Sequence, residues 1–359
     1  MKKIYYITAV FATLFLVGCG DGIDLPGVNV ETDLNKIPLP DNNVNLEQVE
    51  LKPSTEPMLH EGLHTEEDFQ RIRDKKAAGE EPWVSAYQLL VESQFSQKTA
   101  DTYPTEWIKR GVSGDENYMN AAKGATIAYQ QALRWKIEQD DEYAAKAVEN
   151  LNKWVQTCVG VTGNTNLSLA AGLYGYEFAI AGELLRDYGG WDRADFAAFQ
   201  NWLLKVFYPA NDDFLKRHHD TNALHYWANW CLCNIAAKMA IGIVTDRRDI
   251  YNEGIDHLQT GDTNGRLRRA IYHDYAPDYN FAQWQESGRD QGHTLMCVGL
   301  MGVICQLAWS QGDDFFAYDD NLFMRACEYA ACCNYTNETV PYTTYIWQKQ
   351  SQWGYPIPE

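Results

Sequence analysis

Positive charge is scarce in this chain: 30 Lys and Arg stand against 49 Asp and Glu, a formal net charge of −19. An acidic surplus of that size repels nucleic acid, which is excluded as a partner, and offers no long-range attraction to an anionic substrate. A site for a polyanion would have to be basic locally. Metal-ligand spacing is missing too. Cys231-Leu232-Cys233 and Cys332-Cys333 do not match zinc sites, and no stretch has the ligand pattern of a calcium loop, so no metal or cofactor is expected. Alternating β-patterns are scarce, and no motif recurs at a fixed length, which argues against a solenoid. Disorder is excluded for most of the 359 residues, because 45% are hydrophobic and 12 Trp and 22 Tyr are among them.

The first 20 residues, "MKKIYYITAVFATLFLVGCG", carry Lys2 and Lys3 ahead of an apolar run from Ile4 to Val17, too short for a membrane span. "LVGC" is similar to the lipobox of bacterial lipoproteins, which implies a signal peptide over 1–18 and lipidation of Cys19. The alternative is an ordinary secretory signal with an incidental Cys. Either way the mature chain is expected in the periplasm or at the cell surface. Residues 19–56, rich in Pro, Asn, Asp and Gly and without helical period, read as a lipidated Cys19 and a flexible tether. The other cysteines lie mostly in apolar helical stretches and read as core thiols, with one or two disulfides left open.

From Thr65 onward the pattern is helical. "TEEDFQRIRDKKAAG" has acids in its first turn and bases in its last, and stretches such as "NYMNAAKGATIAYQQALRWKIE", "SLAAGLYGYEFAIAGELLRDY", "TNALHYWANWCLCNIAAKMAIGIV" and "GHTLMCVGLMGVICQLAW" repeat apolar residues every three or four positions. Two of them are apolar around most of their circumference, as helices sandwiched between neighbours are. The expected fold is all-α, an incomplete α/α toroid of helical hairpins over residues 57–359.

Three polar constellations interrupt the apolar runs. In "KRHHDTNALHYWANW" Asn222 and His225 are expected on one face of a helix capped by Asp220 or Thr221, with His218 and His219 before the cap. In "RLRRAIYHDYAPDYN" Arg269 and two further arginines stand beside Tyr272, His273, Tyr275 and Tyr279, and a guanidinium next to a phenol eases proton transfer. In "QWQESGRDQGHT" Ser287 and Asp290 fit a helix cap that begins a helix at Gly288. Arg289 and His293 would then share its first turn, a setting suited to a carboxylate.

Taken together, "TNALHYWANW", the Tyr-rich turn, "QESGRDQGHT" and "LAAGLYGYEFAIAGELLRDY" resemble the alginate lyase-like polysaccharide lyases, over most of the chain after residue 60. That resemblance implies β-elimination on a uronate polymer without cofactor. Asn222 would contact the uronate carboxylate, and His225 would neutralise it or act as base. Tyr279, or else Tyr272, would be the acid, and Arg289 and His293 would complete the subsite. Relatives carry Asn directly before His, whereas Ala223 and Leu224 intervene here. Trp107, Arg110, Asn164, Asn166, Tyr174 and Tyr176 are candidates for a saccharide groove, with His218, Arg269 and Gln285 as further binding candidates. The resemblance also leads one to expect a later chain end than "SQWGYPIPE", and with it a helix closing the toroid.

Two other readings stand beside the lyase. One is a glycoside hydrolase on the same toroid, with Glu286, Asp290 and Asp274 as its carboxylates. The other is a non-catalytic, tethered glycan-binding lipoprotein.

Overall fold

The structure is a computed structural model that describes residues 48–335 and 340–343. The expected signal peptide, Cys19 and the tether as far as residue 47 lie outside the described residues.

Helices dominate, as their periodicity requires. In order they are α1 (Glu66–Ala77), α2 (Trp83–Glu92), α3 (Tyr118–Glu138), α4 (Asp141–Thr157), α5 (Leu167–Leu184), α6 (Arg193–Val206), α7 (Tyr208–Arg217), α8 (Ala228–Val244), α9 (Arg248–Thr260), the single turn α10 (Leu267–Ala270), α11 (Gln291–Ser310) and α12 (Tyr318–Tyr335). Strands β1 (Trp107–Arg110) and β2 (Gly160–Gly163) pair in parallel. Strands β3 (Ile271–Asp274) and β4 (Ala282–Trp284) form an antiparallel hairpin that the sequence did not announce.

Successive helices fold back as hairpins. Trp135 at the end of α3 donates its indole N–H to Asp141 at the start of α4, and Asn150 reaches back to the carbonyl of Gly124. Across hairpins the inner helices run parallel. Tyr118 stacks with Tyr174 at one end of α3 and α5, and Trp135 meets Tyr188 at the other. Asn234 of α8 donates to the Ser168 carbonyl near the start of α5, while Arg186, just beyond its end, donates to the Val244 carbonyl. The two helices approach closely because Gly172 has no side chain: a Cβ there would lie 2.5 Å from Cys233 Sγ. Apolar burial around the whole of α5 and α8 follows from this sandwiched position. The result is the expected α/α toroid, with the N-termini of α3, α5, α8 and α11 at one mouth.

The far face is crossed by the segment before α1. Val49 exchanges backbone hydrogen bonds with the Gln259 side chain, Leu59 does so with Gln311, and Arg248 donates to the Pro57 carbonyl at 2.8 Å. Residues 48–56, expected as tether, are thus docked on α9 and the end of α11. Long polar side chains supply the hydrogen bonds that this irregular backbone cannot make with itself.

Cys158, Cys231, Cys233, Cys297, Cys305 and Cys333 are buried, and Cys327 and Cys332 are half-buried. This agrees with the core-thiol reading, and no disulfide joins these cysteines among the described residues.

Candidate active site

The mouth is built where the inner helices begin, and two expected helix starts are displaced there. Residues 221–227 are not the first turn of a helix: α8 begins at Ala228, with Trp227 extended before it (φ −63°, ψ 158°). Local hydrogen bonding explains the correction. Asn222 Oδ1 accepts the N–H of Leu224 at 2.9 Å in a turn of its own, and Asn264 Nδ2 takes the carbonyls of Leu224 and Tyr226. Asn222 and His225 therefore do not share a helical face, and both are exposed.

The first N–H groups of α8 are met from far along the chain instead. Gln285 Oε1 accepts the N–H of Ala228 at 3.0 Å, and Glu286 Oε1 accepts that of Asn229 at 3.0 Å and the Asn229 side chain at 2.7 Å. These bonds hold 285–288 in a 3₁₀ turn, so α11 starts at Gln291, not at Gly288. Its cap is Asp290, which accepts the N–H of His293, and not Ser287. Arg289 consequently stands outside the helix. Its guanidinium lies 5.1 Å above the Trp227 ring and 3.2 Å from Glu286 Oε2. Glu286 itself is 0% exposed.

His293 Nδ1 lies 2.6 Å from Asp290 Oδ2. Burial pushes the Asp290 carboxyl up, but the His293 hydrogen bonds and the Arg289 charge outweigh it and hold it below the usual range. Asp274 is tied to Arg268 and Arg325. Each of the three carboxylates that a hydrolase would use is thus engaged by a neighbouring cation or histidine.

Tyr226 is surrounded by three histidines, with His218 the farthest at 6.5 Å. His225 meets its ring at 4.9 Å and His219 at 5.8 Å. His218, His219 and Asp220 form three successive left-handed residues (φ 48°, 52°, 60°), a strained backbone for side chains of this kind. The strain aims His219 at the start of α5, where its Nε2 lies 3.0 Å from Ser168 Oγ. Burial lowers the His219 pKa, against the opposing charges of Asp213 and Asp220 and a hydrogen bond with the Thr165 backbone. His218 packs against Phe214 and is pushed by burial to about 4, so its imidazole is neutral.

The β3–β4 hairpin supplies the phenols. Tyr279 is 52% exposed, while Tyr272 is buried. Tyr275 is the positioned one: its hydroxyl lies 2.6 Å from Gln283 Oε1 and 3.1 Å from Thr343 Oγ1, and His273 abuts its ring at 4.5 Å. Burial raises its pKa, as it does that of Tyr272.

Other expected residues are dispersed. Gln285, His218, Arg269, Tyr174 and Tyr176 are buried, Tyr176 within the toroid wall. Trp107 and Arg110 lie on opposite faces of β1, Trp107 outward and Arg110 inward. Asn166 is the N-cap residue of α5 and bonds to Asn164. The sequence named Tyr275 and His219 without distinguishing them from their neighbours. Spacing puts several Tyr and His in each segment, and only tertiary partners show which are held.

Charge completes the picture. The outer helices α4, α6, α9 and α12 carry acids in their first turns, but α3, α5, α8 and α11 carry none. Glu286 on the first N–H groups of α8 and Asp290 at the cap of α11 neutralise those two N-termini, so the positive helix ends left at the mouth of this strongly acidic chain are those of α3 and α5.

A toroid whose inner helices begin around Arg, His and Tyr at one mouth is the arrangement of a polysaccharide lyase. The model of the family described as alginate lyase matches residues 72–338, and the chain belongs to that family. Solved structures share its fold. Alginate lyase A1-III from Sphingomonas species A1 is 12% identical over 77% of this chain and 79% of that one, with a TM-score of 0.53. An alginate lyase from Bacteroides ovatus is 15% identical over 74% and 81%, with a TM-score of 0.54. A His-to-Ala variant of alginate lyase A1-III complexed with tetrasaccharide is 14% identical over 74% and 76%, with a TM-score of 0.55. No curated protein matches the chain in sequence.

Proposed function

We propose that this lyase cleaves a uronate polymer, alginate or a related polyuronate, by β-elimination at the mouth. The observation that carries the reading is Arg289 held over Trp227 at a mouth where α3 and α5 begin without acid, in a chain of net charge −19. The names of the structures sharing the fold, one of them complexed with tetrasaccharide, support it. Elimination begins with neutralisation of the C5 carboxylate, which makes the C5 proton acidic. Arg289, held above Trp227, and exposed His225 do this. His219, neutral and fixed by Ser168, takes the proton. The electron pair forms the C4–C5 double bond as the C4–O4 bond breaks, and the Tyr275 hydroxyl protonates the departing oxygen. Tyr275 is preferred to Tyr279 and Tyr272 because proton transfer needs a phenol that is both held and reachable. From the lipobox-like "LVGC" we further propose a location in the periplasm or at the cell surface, with anchoring through lipid on Cys19.

The test is ultraviolet absorbance during incubation with polymannuronate, polyguluronate and polyglucuronate. Wild type is expected to raise absorbance with at least one polymer. Tyr275→Phe and His219→Ala should lose about 100- to 10,000-fold in rate, the usual contribution of a proton-transfer group. Full activity in Tyr275→Phe with loss in Tyr279→Phe would move the acid to Tyr279. Binding without any product would support the glycan-binding alternative.

A further inference from the structure

Arg110 is an arginine without an anion. It ends β1, is 5% exposed, and lies 4.6 Å above the ring of Tyr118, the first residue of α3. Its Nη1 has no hydrogen-bond acceptor among the described residues. Of the acids that follow in sequence, Asp115 pairs with Lys109 and Glu116 accepts the N–H of Gly111 instead. Several other buried arginines are paired with acids, Arg134 with Glu138, Arg186 with Glu183 and Arg325 with Asp274, and buried Arg248 is met by the carbonyls of Glu56 and Pro57. A buried guanidinium left unpaired is costly, and an acidic protein has carboxylates in plenty with which to pair it.

The surroundings are built around it. Gly163 pairs with Arg110 in the parallel ladder at φ 145°, and a Cβ there would lie 1.7 Å from the Arg110 carbonyl oxygen. Asn117 ties β1 to α3, accepting the N–H of Lys109 at 2.7 Å and donating to the Trp107 carbonyl at 3.0 Å. Asn117 and Asn166 therefore precede α3 and α5 without capping them by side chain. The guanidinium thus sits over the start of α3, next to the Gly111–Asn164 contact that leads into α5, and both helices begin without first-turn acids.

We propose that Arg110, Tyr118 and the N-termini of α3 and α5 form a second carboxylate subsite, which holds a uronate unit of the bound polymer other than the one being cleaved. The proposal rests on the polyuronate reading above. A planar carboxylate fits the guanidinium fork, while the Tyr118 ring backs its other face. The subsite fixes the register of a long chain, so short oligomers that fill only the Arg289 end gain nothing from it.

The experiment compares Arg110→Met with wild type in binding and turnover of a defined series of oligouronates, alongside thermal unfolding. Expected is a 10- to 100-fold weaker affinity for long oligomers, falling mainly on KM, with the shortest cleaved oligomer changed less than threefold. The melting temperature should hold or rise, because an unpaired buried charge has been removed. Equal loss on short and long oligomers, unchanged affinity throughout, or loss accompanied by a lower melting temperature would each overturn the subsite. Binding of long oligouronates by wild type without a double-bond product would sink the lyase reading while leaving Arg110 testable by affinity alone.

Discussion

Glu286 meets donors from three segments: the Asn229 backbone and side chain, the Cys297 thiol and the Arg289 guanidinium. One buried carboxylate thereby ties α8, α11 and the arginine above Trp227 together. Glu286→Gln keeps an acceptor for the Asn229 N–H but removes the charge facing Arg289. Its kcat/KM should fall about 10-fold, and Arg289→Ala should then cost little more, because contacting residues are not additive. Additive losses in the double variant would refute the coupling. His219 gives a pH prediction. As a base it must be deprotonated, and burial sets its pKa below the ordinary 6.5, so the acid limb of the kcat/KM profile should fall below that value. Residue types at the site were legible in the sequence. Arg289, His225 and the Tyr-rich turn were singled out by composition, but which phenol is held depends on Gln283 and Thr343, and no local pattern reveals that.

The long helices were legible because their burial follows a helical period. The starts of α8 and α11 were not, for a common reason. Gln285 caps Ala228 across 57 positions of sequence, and that bond both delays α8 and holds the turn before α11. A cap supplied from so far away leaves no mark near the helix it caps. Gln285→Ala should lower stability by about 1–2 kcal/mol, the usual worth of a cap, as measured by denaturant unfolding; an unchanged midpoint would show that the cap contributes nothing. The β3–β4 hairpin was hidden too. Its register carries an irregularity between Ile271 and His273, and Asp274 is anchored by Arg268 and Arg325 from α10 and α12 more than by strand pattern.

At the scale of the whole molecule, α3 and α5 bring acid-free N-termini to the mouth near Arg289, while the outer helices carry acids in their first turns. An acidic body and a polyanion repel at long range, yet the mouth attracts at short range. Raising salt from low ionic strength should therefore first increase kcat/KM as the repulsion is screened, and then reduce it as contacts at the mouth weaken. A fall from the lowest salt onward would contradict this separation of charge. Stability has its own pH window. His64, His218 and His257 are each lowered by burial to about 4 from an ordinary 6.5. The unfolded chain binds more protons between those values, so the stability these histidines contribute is complete above 6.5 and lost as pH falls towards 4. Thermal unfolding across that range should show the decline, and a flat profile would argue that these imidazoles are not kept neutral. The central claim is elimination. It is tested most directly by mass spectrometry of the products released from a polyuronate in heavy-oxygen water. The account predicts fragments with an unsaturated end, each lighter by one water than a hydrolysis product, carrying no heavy oxygen and absent with Tyr275→Phe. Saturated fragments that have taken up heavy oxygen would contradict it.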